Sequence, residues 1–223
     1  MTIVVKICGL SSREAVAASI AGGAAYLGFV FYPPSPRSVT PDTAADLVAG
    51  LPGGIVRVGL FVDAADDAIA AVLARVPLDL LQFHGAETPD RVAAVRHRFG
   101  RPVMKAIPIA ERADLARAKL YGGAADRLIL DARPPLRPGA LPGGNGLAFD
   151  WRLLASARWT LPWMLSGGLT AANLAQAVRL SGAAAVDVSS GVESAPGRKD
   201  PARITAFLAA ARQVGDDRTP PIG

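Results

Sequence analysis

The chain has 223 residues, 51% of them hydrophobic, 19% charged and 6% aromatic, with a formal net charge of +5. That length suits one large domain or two small ones, and the apolar share supplies a sizeable core. No apolar run approaches a membrane span and no basic-then-apolar leader opens the chain. The single cysteine excludes an intramolecular disulfide and a cysteine-based metal cluster. The basic residues are scattered, which points to a solvated arginine-rich surface or an anionic small ligand rather than to nucleic acid. A soluble cytoplasmic protein is expected, without metal, membrane or nucleic-acid partners.

Short apolar runs alternate with helical patterns from end to end. Ile3–Ile7 reads as a strand, and Ser11–Ala21 as a helix capped by Ser11 or Ser12 with Glu14 in its first turn. Strand Tyr26–Phe31 leads into a proline-rich loop, Tyr32–Arg37, and a helix near Asp42–Ala49. Further units follow as Ile55–Val62 with Asp66–Arg75, Leu78–Phe83 with Glu87–Phe99, and Pro102–Ile107 with Glu111–Tyr121. Strand Arg127–Asp131 is followed by a long loop, Ala132–Ala148, and a short helix, Phe149–Ala155. Trp163–Ser166 pairs with Ala171–Ser181, and Ala184–Val188 with Pro201–Val214. Eight strand-then-helix units without a composition break predict an α/β protein, a single-domain (β/α)8 TIM barrel over residues 1–214, with 215–223 as a frayed tail. A doubly wound open sheet is the alternative, but no Gly-x-Gly-x-x-Gly follows the first strand.

Side chains alternate faces along a strand. Val4, Lys6 and Cys8 share one face, as do Leu80, Gln82 and His84; Val103, Lys105 and Ile107; Arg127, Ile129 and Asp131; and Ala185, Asp187 and Ser189. The polar parity is assigned to the barrel interior, because helices would cover the apolar parity. Structural ion pairs are the competing account, above all for Lys6 and Arg127. Cys8 and Asp131 then stand at carboxyl ends of strands, the edge where barrels do chemistry. A cysteine there is a candidate base or nucleophile, although free cysteine commonly just packs. An aspartate after a strand is equally a turn residue. Lys6, one inward position below Cys8, is expected to lower the thiol's pKa.

Two glycine-rich segments end the last two strands, Ser166-Gly167-Gly168 and Ser189-Ser190-Gly191. Such turns after strands seven and eight can form a phosphate site from backbone N–H groups, with no Cβ to keep the phosphate away. Arg37, behind a loop stiffened by prolines, can reach the mouth and hold a carboxylate; a surface arginine is the plainer account.

Together these pieces resemble the phosphoribosylanthranilate isomerase family. They are Lys6-Ile7-Cys8-Gly9, Gly28–Pro33 with Ser35 and Arg37, Arg57–Val62, Leu81–Gly85, Leu130-Asp131, Gly143–Gly146 with Phe149–Trp151, Leu165–Leu169, and Asp187–Glu193, in the family's order. The resemblance implies a barrel without cofactor that carries out an Amadori rearrangement on a phosphorylated small molecule, as a monomer or homodimer. It assigns Asp131 as general acid, Cys8 as general base and Arg37 to the substrate carboxylate. It assigns the phosphate to backbone around Gly144, Asn145 and Gly146, Gly167 and Gly168, and Ser189, Ser190 and Gly191. Lys6, Gln82, His84 and Asp187 complete the implied pocket.

Two features depart from the family form. Leu147-Ala148 stands where a lysine and a hydroxyl residue are common, and the strand-six loop, Arg133–Pro138, is long. That loop is read as a lid that brings Arg133 or Arg137 to the phosphate. Two other readings compete. The histidine-pathway isomerase runs the same chemistry, but with an aspartate where Cys8 stands. A silent phosphate-ligand binder has no need of Cys8, Asp131 and Arg37 together.

Overall fold

A computed structural model describes residues 2–136 and 141–217. Eight parallel strands close into a barrel in chain order: β1 (Val4–Cys8), β2 (Tyr26–Val30), β3 (Val56–Phe61), β4 (Leu80–Phe83), β5 (Val103–Ile109), β6 (Arg127–Ala132), β7 (Trp163–Leu165) and β8 (Ala185–Val188). β1 pairs with both β2 and β8, so the sheet has no edge, and the open-sheet alternative falls away. The helices between the strands are α1 (Arg13–Ala21), α2 (Pro41–Val48), α3 (Asp66–Leu73), α4 (Pro89–Phe99), α5 (Asp114–Lys119), α6 (Arg152–Ala155) and α7 (Leu174–Ser181), with α8 (Pro201–Asp217) last. Gly215–Asp217, expected in the tail, belong to α8. Residues 218–223 lie outside the described residues. None of the described helices is long and apolar enough to cross a membrane.

Local chemistry sets the helix starts. Ser12 caps α1 by accepting from the Ala15 N–H at 3.3 Å. Thr40 and Thr88 cap α2 and α4, each followed by proline in the first turn, where a missing N–H costs nothing. The outward strand parity (Ile3, Val5, Ile7, Leu27, Phe29, Phe61, Phe83) packs under the helices as the main core. Each such side chain contributes about 1.5–3 kcal/mol by burial. A smaller apolar layer (Tyr26, Val58, Leu80, Met104, Ala106, Ile129 and Met164) fills the barrel's interior.

The polar-inside rule fails on β5. Register pairs Gln82 with Met104 and Phe83 with Lys105, so Met104 and Ala106 face the axis while Val103, Lys105 and Ile107 face the helices. Lys105 is buried there because a partner waits outside the barrel. Its Nζ donates to the Gly85 carbonyl at 2.7 Å and to Glu87 Oε2 at 3.0 Å, and it lies 5.9 Å from the centre of the Tyr121 ring. Arg127 does face inward, with its guanidinium 5.9 Å from the centre of the Tyr26 ring.

One element was not anticipated. Beyond β8, a 3-10 turn (Ser190–Val192) leads into an antiparallel hairpin of β9 (Glu193–Ala195) and β10 (Arg198–Lys199). Gly197 turns it with φ of +78°.

Candidate active site

The carboxyl ends of the strands surround an open pocket of about 750 Å3. Cys8, Arg37, His84, Asp131 and Asp187 line it, together with three glycine-bearing turns, 143–146, 167–168 and 189–191. Val30, Leu60 and Cys8 form an apolar patch on its wall. Lys6 and Gln82 are fully buried beneath the mouth and do not line it.

Cys8 ends β1, one inward step above Lys6. Lys6 Nζ donates to Asp187 Oδ1 at 2.7 Å, since β1 and β8 place Lys6 and Asp187 side by side in the ladder. The Ser166 hydroxyl donates to the other Asp187 oxygen at 3.3 Å. Burial alone would pull the Lys6 ammonium down. The charges of Asp187 and Cys8, with hydrogen bonds to both, outweigh it, and its pKa is pushed up to about 12. For Cys8, Lys6 acts in the expected direction but does not decide the outcome. Burial pushes the thiol up and Asp187 adds to that; Lys6 and Lys199 pull it down but do not prevail. Burial is the largest of these effects, and Asp187, paired with Lys6, offsets part of that lysine's pull.

Asp131 stands on β6, with β7 and β8 between it and β1. Oδ1 accepts from the Ala132 N–H at 2.9 Å, and Oδ2 lies 3.1 Å from His84 Nε2. Gln82 Nε2 lies 3.2 Å from His84 Nδ1. An amide donor at Nδ1 leaves the imidazole proton on Nε2, aimed at Asp131. The other amide atom, Gln82 Oε1, is buried without a hydrogen-bond partner among the described residues.

Arg37 is buried, and its loop is ordered by local bonds: Ser35 N–H to the Tyr32 carbonyl at 2.9 Å and Arg37 N–H to Ser35 Oγ at 3.2 Å. Its side chain crosses Gly9, where a Cβ would sit 2.8 Å from Arg37 Cδ; only glycine leaves that path open. The guanidinium forks onto Glu193, Nε to Oε1 at 2.8 Å and Nη2 to Oε2 at 2.9 Å, and Nη2 also donates to the Gly144 carbonyl at 3.1 Å. Burial works against the Glu193 charge, but Arg37 and Lys199 hold its carboxyl below the ordinary range. Burial lowers Lys199 in turn, partly offset by Glu193.

The glycine turns interlock. A Cβ on Gly191 would fall 1.8 Å from the Leu169 carbonyl oxygen, so the turn after β8 can lie against the turn after β7 only as glycine. Arg133 does not reach these turns. It pairs with Asp114, whose carboxylate also accepts from the Ala110 and Glu111 N–H groups at 2.8 and 3.1 Å. A buried carboxylate at the start of α5 is the nearer counter-charge, so the expected role of Arg133 at the phosphate is set aside. Arg137 lies outside the described residues. Glu193 and Lys199 were not assigned roles from sequence, although Pro196-Gly197 between them is a turn signal. Among the described residues no group of three or more His, Cys, Asp or Glu is placed to hold a metal ion.

A closed (β/α)8 barrel whose strand ends converge on one polar pocket defines a single-domain barrel enzyme with its chemistry at the carboxyl-terminal mouth. The family model described as N-(5'-phosphoribosyl)anthranilate (PRA) isomerase matches residues 5–210, and the chain belongs to that family. It is 58% identical over 212 residues to N-(5'-phosphoribosyl)anthranilate isomerase of Paramagnetospirillum magneticum, covering 95% of this chain and 98% of the relative. Among solved structures, monomers generated from the dimeric phosphoribosylanthranilate isomerase of Thermotoga maritima align with a TM-score of 0.81 and 34% identity, over 95% of this chain and 99% of that one. A phosphoribosylanthranilate isomerase in complex with reduced 1-(o-carboxyphenylamino)-1-deoxyribulose 5-phosphate aligns with a TM-score of 0.82 at 34% identity, with the same coverage.

Proposed function

We propose that the protein converts N-(5-phosphoribosyl)anthranilate to 1-(2-carboxyphenylamino)-1-deoxyribulose 5-phosphate, an Amadori rearrangement in tryptophan biosynthesis. The observation that carries the reading is the opening of Cys8 and Asp131 into one pocket that Arg37 and three glycine turns also line. Asp131 gives its proton to the ribose ring oxygen, the bond from C1 to that oxygen breaks, and a protonated Schiff base forms. Cys8 takes the proton from C2, and the C2–H electrons become the C1=C2 bond of an enolamine. Loss of the C2 hydroxyl proton and protonation at C1 give the ketone. Only protons move, so no cofactor enters these steps.

Two features support this assignment of roles. Gln82 and His84 form a chain behind Asp131 that serves both of its protonation states. With Asp131 ionised, Nε2–H donates to it. With Asp131 protonated, the imidazole proton shifts to Nδ1, and the Gln82 amide turns its unpartnered Oε1 toward it. The Cys8 thiol, held up by burial, is charged when the cationic Schiff base forms beside it, since a nearby cation favours the thiolate. Backbone around Gly144–Gly146, Gly167-Gly168 and Ser189–Gly191 takes the phosphate, and Arg37 the ring carboxylate. We read the assembly as a monomer or homodimer. We place the reaction in the cytoplasm, where a charged phosphorylated substrate is retained.

The test is turnover of fluorescent N-(5-phosphoribosyl)anthranilate by the purified protein. Wild type should consume it. Asp131→Asn should lose about 10²- to 10⁴-fold in kcat, the usual share of a general acid, while still binding a reduced product analogue. Binding without turnover by the wild type would leave a silent phosphate-ligand binder instead.

A further inference from the structure

We propose that Glu193 is a positioning residue that sets the preference of this site for a carboxylated ring by fixing which edge of Arg37 faces the ligand. The proposal deepens the isomerase reading and rests on it. A guanidinium offers forked pairs of N–H donors on more than one edge. Glu193 occupies the edge formed by Nε and Nη2, at 2.8 and 2.9 Å. The second Nη2 N–H goes to the Gly144 carbonyl at 3.1 Å, so Nη1 carries the N–H donors left for a second carboxylate, and Arg37 lines the pocket. Nη1 lies 2.5 Å from where a Cβ on Gly144 would be, so any side chain there would press on Nη1.

The support behind Glu193 is itself built. Glu193 Oε1 accepts from Lys199 Nζ at 2.5 Å, and Oε2 accepts from the Gly197 N–H at 3.3 Å. Lys199 also donates to the Ser189 carbonyl at 3.0 Å and hydroxyl at 3.2 Å. The hairpin of β9 and β10 thus ties the arginine to the turn after β8. Charge supplies a second argument. Glu193 alone would neutralise Arg37, and an anionic ring would meet a neutral pair. With Lys199 the buried trio keeps one net positive charge for the substrate's carboxylate. The plainer account is that Glu193 only neutralises two buried cations and holds the hairpin in place. Substrate discrimination separates the two accounts.

The experiment measures kcat/KM on N-(5-phosphoribosyl)anthranilate and on N-(5-phosphoribosyl)aniline, which lacks the ring carboxylate. The proteins are wild type, Glu193→Gln, Arg37→Met and the double variant. Glu193→Gln should reduce the preference for the carboxylated compound by about tenfold to a hundredfold, mainly through KM, as for a lost charged hydrogen bond. Arg37→Met should add little in the Glu193→Gln background, because both act through one contact. Equal losses on the two compounds, or a preference that Glu193→Gln retains, would overturn the proposal. A wild type that turns over neither compound would overturn the isomerase reading itself. Lys199→Met keeps the partner of Arg37 while removing the net charge. It should lower the same preference by a smaller factor even where Glu193→Gln does not fold, and an unchanged preference there would count against the charge argument.

Discussion

Replacing Lys6 by methionine should make the Cys8 thiolate harder to form. Lys6 Nζ and Cys8 Sγ lie 3.1 and 3.0 Å from the same point, the place a Cβ on Gly28 would occupy, so they are at most about 6 Å apart. At that separation and an effective dielectric constant of about 20, a unit charge pair is worth about 3 kcal/mol. Asp187 takes back part of that effect, so the expected drop in thiolate population at a fixed pH is about tenfold to a hundredfold. Cys8 is the only cysteine, so thiolate absorbance or alkylation rate against pH reports on it alone. Lys6→Met also strands a buried carboxylate, at a cost of about 3–5 kcal/mol, and the titration belongs at a temperature where circular dichroism shows it folded. Asp187→Asn supplies the opposite sign. It frees the ammonium for the sulfur and should move the thiol's midpoint down. Shifts of the same sign in the two variants, or no shift in Lys6→Met, would refute the electrostatic account of Cys8.

Three other outcomes follow from the geometry. Gly191→Ala puts a methyl group into the Leu169 carbonyl; it should raise KM for the phosphorylated substrate and lower the unfolding midpoint, and unchanged values of both would show that the two turns need not touch. Asp114→Ala removes the acceptor for two N–H groups and Arg133, and urea unfolding should show a loss of about 1–3 kcal/mol. Glu193 titrates below its ordinary value in the folded protein. Its stabilising contribution is therefore complete above the ordinary carboxylate range and is lost as pH falls through the lowered folded value. The stability gap between wild type and Glu193→Gln should narrow on acidification, and a gap that widened would contradict the sign.

The barrel was legible because its signal is repetition. Each unit pairs a short apolar run with a helical pattern, and caps such as Ser12 mark the starts. Strand parity placed Lys6, Cys8, Gln82, Asp131 and Asp187 inside, because their neighbours on the other face are uniformly apolar. The same rule misplaced Lys105, since parity does not reveal that Glu87, eighteen residues earlier, waits on the outside. Lys6 pulls the thiol down as expected, but the net upward direction, set first by burial, was out of reach. Proximity of Lys6 was visible in sequence, but the prior claim of Asp187 on that charge depends on the β1–β8 register. Glu193 stood in plain view at the end of a glycine motif. Its fork onto Arg37 joins residues 156 positions apart, and no local pattern carries that. Arg133 was misread for a related reason, since a basic loop residue goes to the nearest buried carboxylate, and that proved to be Asp114.

In the proposed reaction the Cys8 thiol is the base at C2. The most direct test is Cys8→Ala assayed beside wild type on N-(5-phosphoribosyl)anthranilate, with affinity for a reduced product analogue measured on both. The structure predicts a kcat lower by about 10²- to 10⁴-fold with affinity nearly preserved, because the phosphate turns and Arg37 are untouched. Turnover by Cys8→Ala at the wild-type rate would contradict it.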